Sequence, residues 1–299
     1  MTGGPNGGEF KTDLTNVGHS GLLNLTDIMW DKEVCKFFNI PLQILPTIHS
    51  TSEVFGYIAD GPLAGIPISG MIGDQLGATV GQMCFKPGQS KCTYGTGGCI
   101  IVNTDTEPVY SRKETLASSV DSTHDCYFVP ALQGYFFPFW EDDARGYVFC
   151  KVLRVIVGIS NYTKREHIAR AALEAVAYQI KQAFDAISEE SGHTINSLRV
   201  DGGMIVNNFL MQFQSDLIGV EVVRPYMKES SSLGAAIMAG AADGINIFKV
   251  NGDKKGIDVI FECDTNFDVF KPQIDENERK RKVQRWLDAV ERSLHWKTK

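Results

Sequence analysis

The chain has 299 residues, with 43% hydrophobic and 22% charged side chains, which is enough apolar material for one large or two ordinary packed domains and excludes a disordered chain. Its net charge of −7 leaves no broad basic surface to neutralise a phosphate backbone, so nucleic acid is excluded as the expected partner and a small substrate suits it better. The seven cysteines are odd in number and scattered, with no CxxC pair or Cys/His cluster, so reduced thiols are expected rather than disulfides or a zinc site.

Taken in chain order, the N-terminal MTGGPNGGEFKTD has neither a basic stretch nor an apolar run, and no signal peptide is expected there. GIPISGMIGD (65–74) reads as a strand running into a glycine turn, with Asp74 at its end. LGATVGQMCF (76–85) is helical in pattern, KPGQS is a tight turn, and KCTYGTGGCIIVNT (91–104) reads as strand, turn, strand. VFCKVLRVIVGI (148–159) is too short and too charged to span a bilayer, so a soluble chain is expected.

EHIARAALEAVAYQIKQAFDAISEESG (166–192) keeps helical periodicity over a long span and closes on Gly192, a residue suited to a helix stop. SLRVDGGMIVNNFLMQFQSDLIGVEVVRP (197–225) then reads as short strand, glycine turn, helix, short strand. SSSLGAAIMAGAADG (230–244) supplies a helix whose small residues permit close backbone approach. ENERKRKVQRWLDAVERSLHW (276–296) places Val283, Leu287, Val290 and Leu294 on one stripe, the pattern of a helix packed on a domain surface. Strands and helices mixed in this order indicate an α/β layer fold.

Three stretches could carry chemistry. The glycines of TYGTGG let backbone approach a charged ligand, with Thr93 and Thr96 beside them, although a lone glycine-rich hairpin is more often only a turn and no P-loop lysine follows. VDGGMIVNN puts Asp201 at a strand end, then Gly202 and Gly203 before a helix whose N-terminal amides could face a nucleotide. A tight strand-to-helix corner is the plain alternative, and the GxG of a dinucleotide fingerprint is missing. Asp74, at a strand end, could take a proton from a hydroxyl or simply form a turn. The six histidines are isolated, so no Ser/His/Asp constellation emerges, and spacing assigns no metal ligands.

The order of one carboxylate, one Thr/Gly turn and one DGG corner resembles the glycerol kinase branch of the FGGY sugar-kinase family, in the actin-like (ribonuclease H-like) ATPase group. The likeness rests on TDLTN (12–16), WDKEVCKFFNIPLQILP (30–46), GDQ with VGQMCFKPGQ and TYGTG, YFVPAL (127–132) and PFWEDDARG (138–146). It continues through HIARAALEAVAYQ (167–179), VDGGMIVNNFLMQFQSDLIGVEVVRP (200–225) and LGAAIMAGAADG (233–244).

The resemblance implies transfer of the ATP γ-phosphoryl group to glycerol, with Mg²⁺. It gives Asp74 the place of the catalytic base and of a glycerol contact, Gln75 a second glycerol contact, Thr96 a phosphate contact, and Gly203 and Asn207 positions around the adenosine. It also implies a mixed sheet flanked by helices, five-stranded, in a cytoplasmic protein for which mitochondrial association and homo-oligomer formation stay open.

Several features depart from the family pattern. Residues 1–20 resemble only the end of the family's N-terminal domain, so that 21–299 is expected to be its C-terminal domain. A family segment is missing between Lys113 and Tyr127, and YVFCKVLR (147–154) reads as an insertion between Gly146 and Val155. Gly98, Cys99 and Ile100 stand where the family usually carries a Phe over glycerol. An inactive fragment that binds nucleotide or serves as an interaction partner is therefore the second expectation, and a kinase for another polyol the third.

Overall fold

The computed structural model describes residues 1–4, 7–95, 98–105, 122–123, 126–131, 153–247 and 267–292. The chain divides into two units, each discontinuous in sequence: residues 1–83 with 229–266, and residues 84–228 with 267–299.

The first unit opens with strand β1 (Lys11–Asp13) and helix α1 (Leu14–Gly18). The antiparallel pair β2 (Leu23–Asn24) and β3 (Met29–Trp30) follows, then helix α2 (Lys32–Phe37) and strand β4 (Thr47–His49), which pairs parallel with β1. Both short helices start on an aspartate whose carboxylate takes up free first-turn amides: Asp13 accepts from the Thr15 and Asn16 amides, and Asp31 from those of Glu33 and Val34. A second antiparallel pair, β5 (Gly56–Tyr57) and β6 (Pro67–Ile68), leads to helix α3 (Asp74–Gly81). The strand expected to run into a glycine turn within 65–74 is only two residues long. Asp74 does not end it, but is the first residue of α3, after the N-cap Gly73.

In the second unit, β7 (Ser90–Tyr94) and β8 (Gly98–Val102) form the expected hairpin arms, paired antiparallel. Strands β9 (Ser122–Thr123), β10 (Cys126–Ala131) and β11 (Leu153–Val157) make a separate antiparallel sheet. Residues 106–121, 124–125 and 147–152, where most of the expected loss and insertion fall, lie outside the described residues; Leu153 and Arg154 open β11 and pair with Ala131 and Pro130. Helix α4 (Arg165–Ser191) ends where the sequence indicates, on Gly192 at φ +67°, a conformation that costs glycine little. Strand β12 (Ser197–Asp201), helix α5 (Asn208–Ile218) and strand β13 (Glu221–Pro225) complete the strand–corner–helix–strand pattern.

The chain then contributes helix α6 (Ser230–Ala241) to the first unit before adding β14 (Phe267–Phe270) and helix α7 (Glu276–Glu291) to the second. The main sheet has five strands in the order β14-β13-β12-β7-β8, with β12 parallel to both neighbours and the outer strands antiparallel. This is the mixed five-stranded sheet expected from the resemblance.

Alternation along β7 and β12 sends Cys92, Tyr94, Leu198 and Val200 into one core with Tyr178 and Ile180 of α4 and Leu210, Phe213 and Leu217 of α5. Helix α7 closes that core through Trp286, fully buried and stacked on Tyr178 at 5.0 Å with ring planes 3° apart. In the first unit α3 and α6 pack through glycines: a Cβ on Gly81 would stand 2.0 Å from the Ser230 carbonyl oxygen.

Candidate functional site

Each unit carries part of the candidate machinery. In the first unit Asp74 lies at the first position of α3, exposed, facing the positive end of the helix dipole. Its Oδ1 accepts from the Gln75 amide at 2.8 Å, and Gln75 Nε2 is 3.5 Å from Oδ2, so the two polar heads share one patch. The backbone around Asp74 is held from two directions. Gly73 N donates to Thr15 Oγ1 at 2.7 Å, and Ser231 Oγ of α6 donates to the Asp74 carbonyl at 2.9 Å. An acid group fixed at its backbone and open to solvent at its carboxylate can meet a small polyol.

In the second unit β7 and β12 are adjacent parallel strands, in register Thr93 with Asp201, and both run at their C-terminal ends into glycine corners. Such strand ends are where open α/β sheets receive ligands. Gly202 adopts φ +94°, and a Cβ there would stand 2.4 Å from the Tyr94 carbonyl oxygen, so only glycine lets the corner lie against β7. Nothing lies within 4 Å of a Cβ built on Gly203, so a side chain there would stand in open space.

The corner does not pass directly into an α-helix, as the sequence suggested. A 3-10 turn, Gly203–Val206, comes first, and α5 begins beyond Asn207, whose Oδ1 accepts from the Leu210 amide at 3.1 Å. Asn207 is therefore the N-cap of α5. Arg224 of β13 steadies the turn, donating from Nη1 to the Ile205 carbonyl at 2.6 Å while its Nη2 pairs with Asp268 at 2.7 Å. Beside the turn opens a cavity of about 280 Å³ lined by Ile205, Val206, Arg224, Tyr226, Lys228 and Asp268.

Behind the corner, Lys91 is fully buried and donates from Nζ to Thr93 Oγ1 at 2.8 Å, with Asp201 buried on the next strand. Burial pushes the Cys84 thiol up to about 11, partly offset by the Arg199 and Lys91 charges, and that of Cys92 higher still, partly offset by Lys91.

Of the residues singled out in the sequence, Asp74 and Gln75 stand together in the first unit, and Gly203 and Asn207 together in the second. Thr96 lies outside the described residues. Sequence reasoning missed Lys91, although SKCTY alternates and so sends Lys91 and Thr93 to the same face. It also missed Asp13 and Thr15, although Asp-x-Thr-Asn before a helical stretch is an N-cap signal. No group of three or more His, Cys, Asp or Glu able to hold a metal ion occurs among the described residues. Mg²⁺ carried on nucleotide phosphates needs only one or two protein carboxylates.

Residues 1–81 match the FGGY family of carbohydrate kinases, N-terminal domain, and residues 110–242 match the C-terminal domain of the same family. The chain belongs to the FGGY family of carbohydrate kinases. The N-terminal match runs well past residue 20, where the sequence reading placed the first boundary, and stops close to residue 83, where the first unit's opening segment ends.

This FGGY chain is 38% identical to a probable glycerol kinase of Dictyostelium discoideum, covering 95% of this chain and 60% of that protein. It is 39% identical to a glycerol kinase of Chloroflexus aurantiacus, covering 99% of this chain and 65% of the relative. It thus spans between 60% and 65% of the length of these curated relatives. Among solved structures, Plasmodium falciparum glycerol kinase with ADP superposes with a TM-score of 0.81 at 30% identity, over 96% of this chain and 64% of that one. A xylulose kinase of Lactobacillus acidophilus superposes at 0.73 with 18% identity, over 95% of this chain and 64% of that one. The second likeness is one of fold, the mixed α/β actin-like ATPase fold of FGGY kinases.

Proposed function

We propose that this FGGY chain carries out, or forms part of, the transfer of the ATP γ-phosphoryl group to a terminal hydroxyl of glycerol, giving glycerol 3-phosphate and ADP. What carries the reading is the contrast at nearly equal coverage between 30% identity to a glycerol kinase and 18% to a xylulose kinase.

In this reading Asp74 accepts the hydroxyl proton as the glycerol oxygen forms its bond to the γ-phosphorus. The bond from that phosphorus to the bridging oxygen breaks, and the electron pair leaves on ADP. Gln75 orients the same polyol. Gly203 and Asn207 lie along the adenosine, Thr96 meets phosphate, and Mg²⁺ arrives on the nucleotide to offset its charge. Positioning and charge neutralisation supply most of the acceleration. Among the described residues Cys35, Cys84, Cys92 and Cys99 form no disulfide, in keeping with the cytoplasmic site of action this reading assigns.

The test is a coupled assay of glycerol-dependent ADP release by the purified chain and its Asp74→Asn variant. Release by the wild type that falls at least about a hundredfold in the variant supports the reading. Undiminished turnover after the substitution removes Asp74 from the role. The span of 60–65% of the relatives' length favours a second reading, a nucleotide-binding fragment without activity of its own. ADP binding by calorimetry without any turnover would select it.

A further inference from the structure

The carboxylate of Asp13, 0% exposed at the end of β1, has no use in the reaction as read above. Its Oδ2 accepts from Thr15 N at 2.9 Å, Thr15 Oγ1 at 2.5 Å and Thr51 Oγ1 at 3.1 Å, and its Oδ1 accepts from Asn16 N at 3.2 Å and from Asn16 Nδ2. Every one of these donors is neutral, and two of them are the free first-turn amides of α1.

Thr15 has one hydroxyl proton, and it goes to Asp13. The oxygen therefore presents only lone pairs elsewhere, and it accepts from Gly73 N at 2.7 Å. A hydroxyl that donates to a carboxylate becomes a better acceptor, so the two bonds reinforce one another. His19 Nδ1 lies 2.9 Å from the Thr15 carbonyl oxygen, fixing the same residue from its other side. Gly73, the N-cap of α3, has no side chain with which to anchor the helix start, and it directly precedes Asp74.

We propose that Thr15, held by Asp13, is a positioning residue that fixes the start of α3 and hence the place of Asp74. Ser231 Oγ on the Asp74 carbonyl is the counterpart from α6. The catalytic part of this proposal rests on reading Asp74 as the proton acceptor; the anchoring part does not.

Two measurements on the 299-residue chain separate them. In ¹⁵N-glycine-labelled protein, Thr15→Val speeds exchange of the Gly73 amide about five- to tenfold, the loss of one hydrogen bond, while Thr15→Ser retains wild-type protection. Unchanged exchange in Thr15→Val overturns the proposal. In the coupled assay Thr15→Val lowers kcat about a hundredfold with KM for ATP unchanged, and Thr15→Ser restores it. Faster exchange with undiminished kcat, in a chain whose turnover Asp74→Asn does impair, overturns the catalytic part. A wild-type chain without turnover ends only the reading that this chain is active by itself, and the exchange result then decides whether Thr15 anchors α3. Should Thr15→Val not fold, Thr15→Ala is read by the same criteria.

Discussion

Gly234 of α6 and Gly77 of α3 approach so closely that a Cβ on Gly234 would stand 1.8 Å from the Gly77 carbonyl oxygen. No rotamer can relieve a clash between a Cβ and backbone, so one helix has to shift. Gly234→Ala should therefore lower stability by ~3 kcal/mol or more in chemical denaturation. Gly18→Ala, where nothing lies within 4 Å, is the control and should change it by less than ~0.5 kcal/mol. Equal effects of the two would refute the close packing of α3 on α6.

The Gly202 corner gives a second test. With φ +94° and the Tyr94 carbonyl 2.4 Å from any added Cβ, Gly202→Ala combines backbone strain with overlap. The expected cost is ~3 kcal/mol or more, with ADP affinity falling together with stability. Gly203→Ala, which has open space around it, should fold normally, so any loss of ADP binding there reports on the ligand. Calorimetric titration of both variants with ADP checks the pair.

Parts of this architecture are written locally. Helix α4 is readable because its apolar period runs unbroken from 166 to Gly192, and the β7–β8 hairpin because alternation on either side flanks a glycine cluster. The end of the 65–74 stretch was misread because apolar residues before a glycine look alike whether they lie in a strand or an irregular segment. The Gly73-Asp74 step, an acidic residue opening a helical pattern, was the stronger signal. The stripe in α7 was read correctly at Val283, Leu287 and Val290, Leu294 lying outside the described residues, but its principal anchor, Trp286, was not, since its depth is set by Tyr178 on another helix. For the same reason Thr15 was passed over, its partner being set by a bond across 58 residues. The alternation of SKCTY does put Lys91 beside Thr93, and only the burial of Lys91 depends on the neighbouring strand.

Tyr94 tests the polar link through the core. Its hydroxyl donates to Gln214 Oε1 at 2.7 Å, and Gln214 Nε2 donates to the Ala177 carbonyl at 3.2 Å, joining β7 to α5 and α4. Tyr94→Phe leaves the buried Gln214 oxygen without this donor and should cost ~1–3 kcal/mol. The double variant Tyr94→Phe, Gln214→Leu should recover part of that loss; a single-variant cost near zero would show the bond to be energetically neutral.

Stability should also fall in alkali. Burial raises the Cys84 thiol in the folded chain from its ordinary 9.0 to about 11, with Cys92 pushed up by the same cause. Because the folded state holds these protons more tightly, this stabilisation is complete below about 9 and is lost as pH rises from there towards about 11. Each such thiol contributes a slope of up to ~1.4 kcal/mol per pH unit across that window. Denaturation midpoints from pH 8 to 11 for the wild type and for Cys84→Ala check it, the variant showing the shallower decline.

The interleaving of the two units constrains how the protein can be made. Residues 11–81 leave the ribosome before the other unit does, but the glycine-lined face of α3 has to wait for α6, which emerges only after most of that unit has been synthesised. During that interval Gly77 and Gly81 meet no helix, and the backbone they expose is open to any passing segment. Synthesis of residues 84–228 therefore separates α3 in time from the helix that covers it.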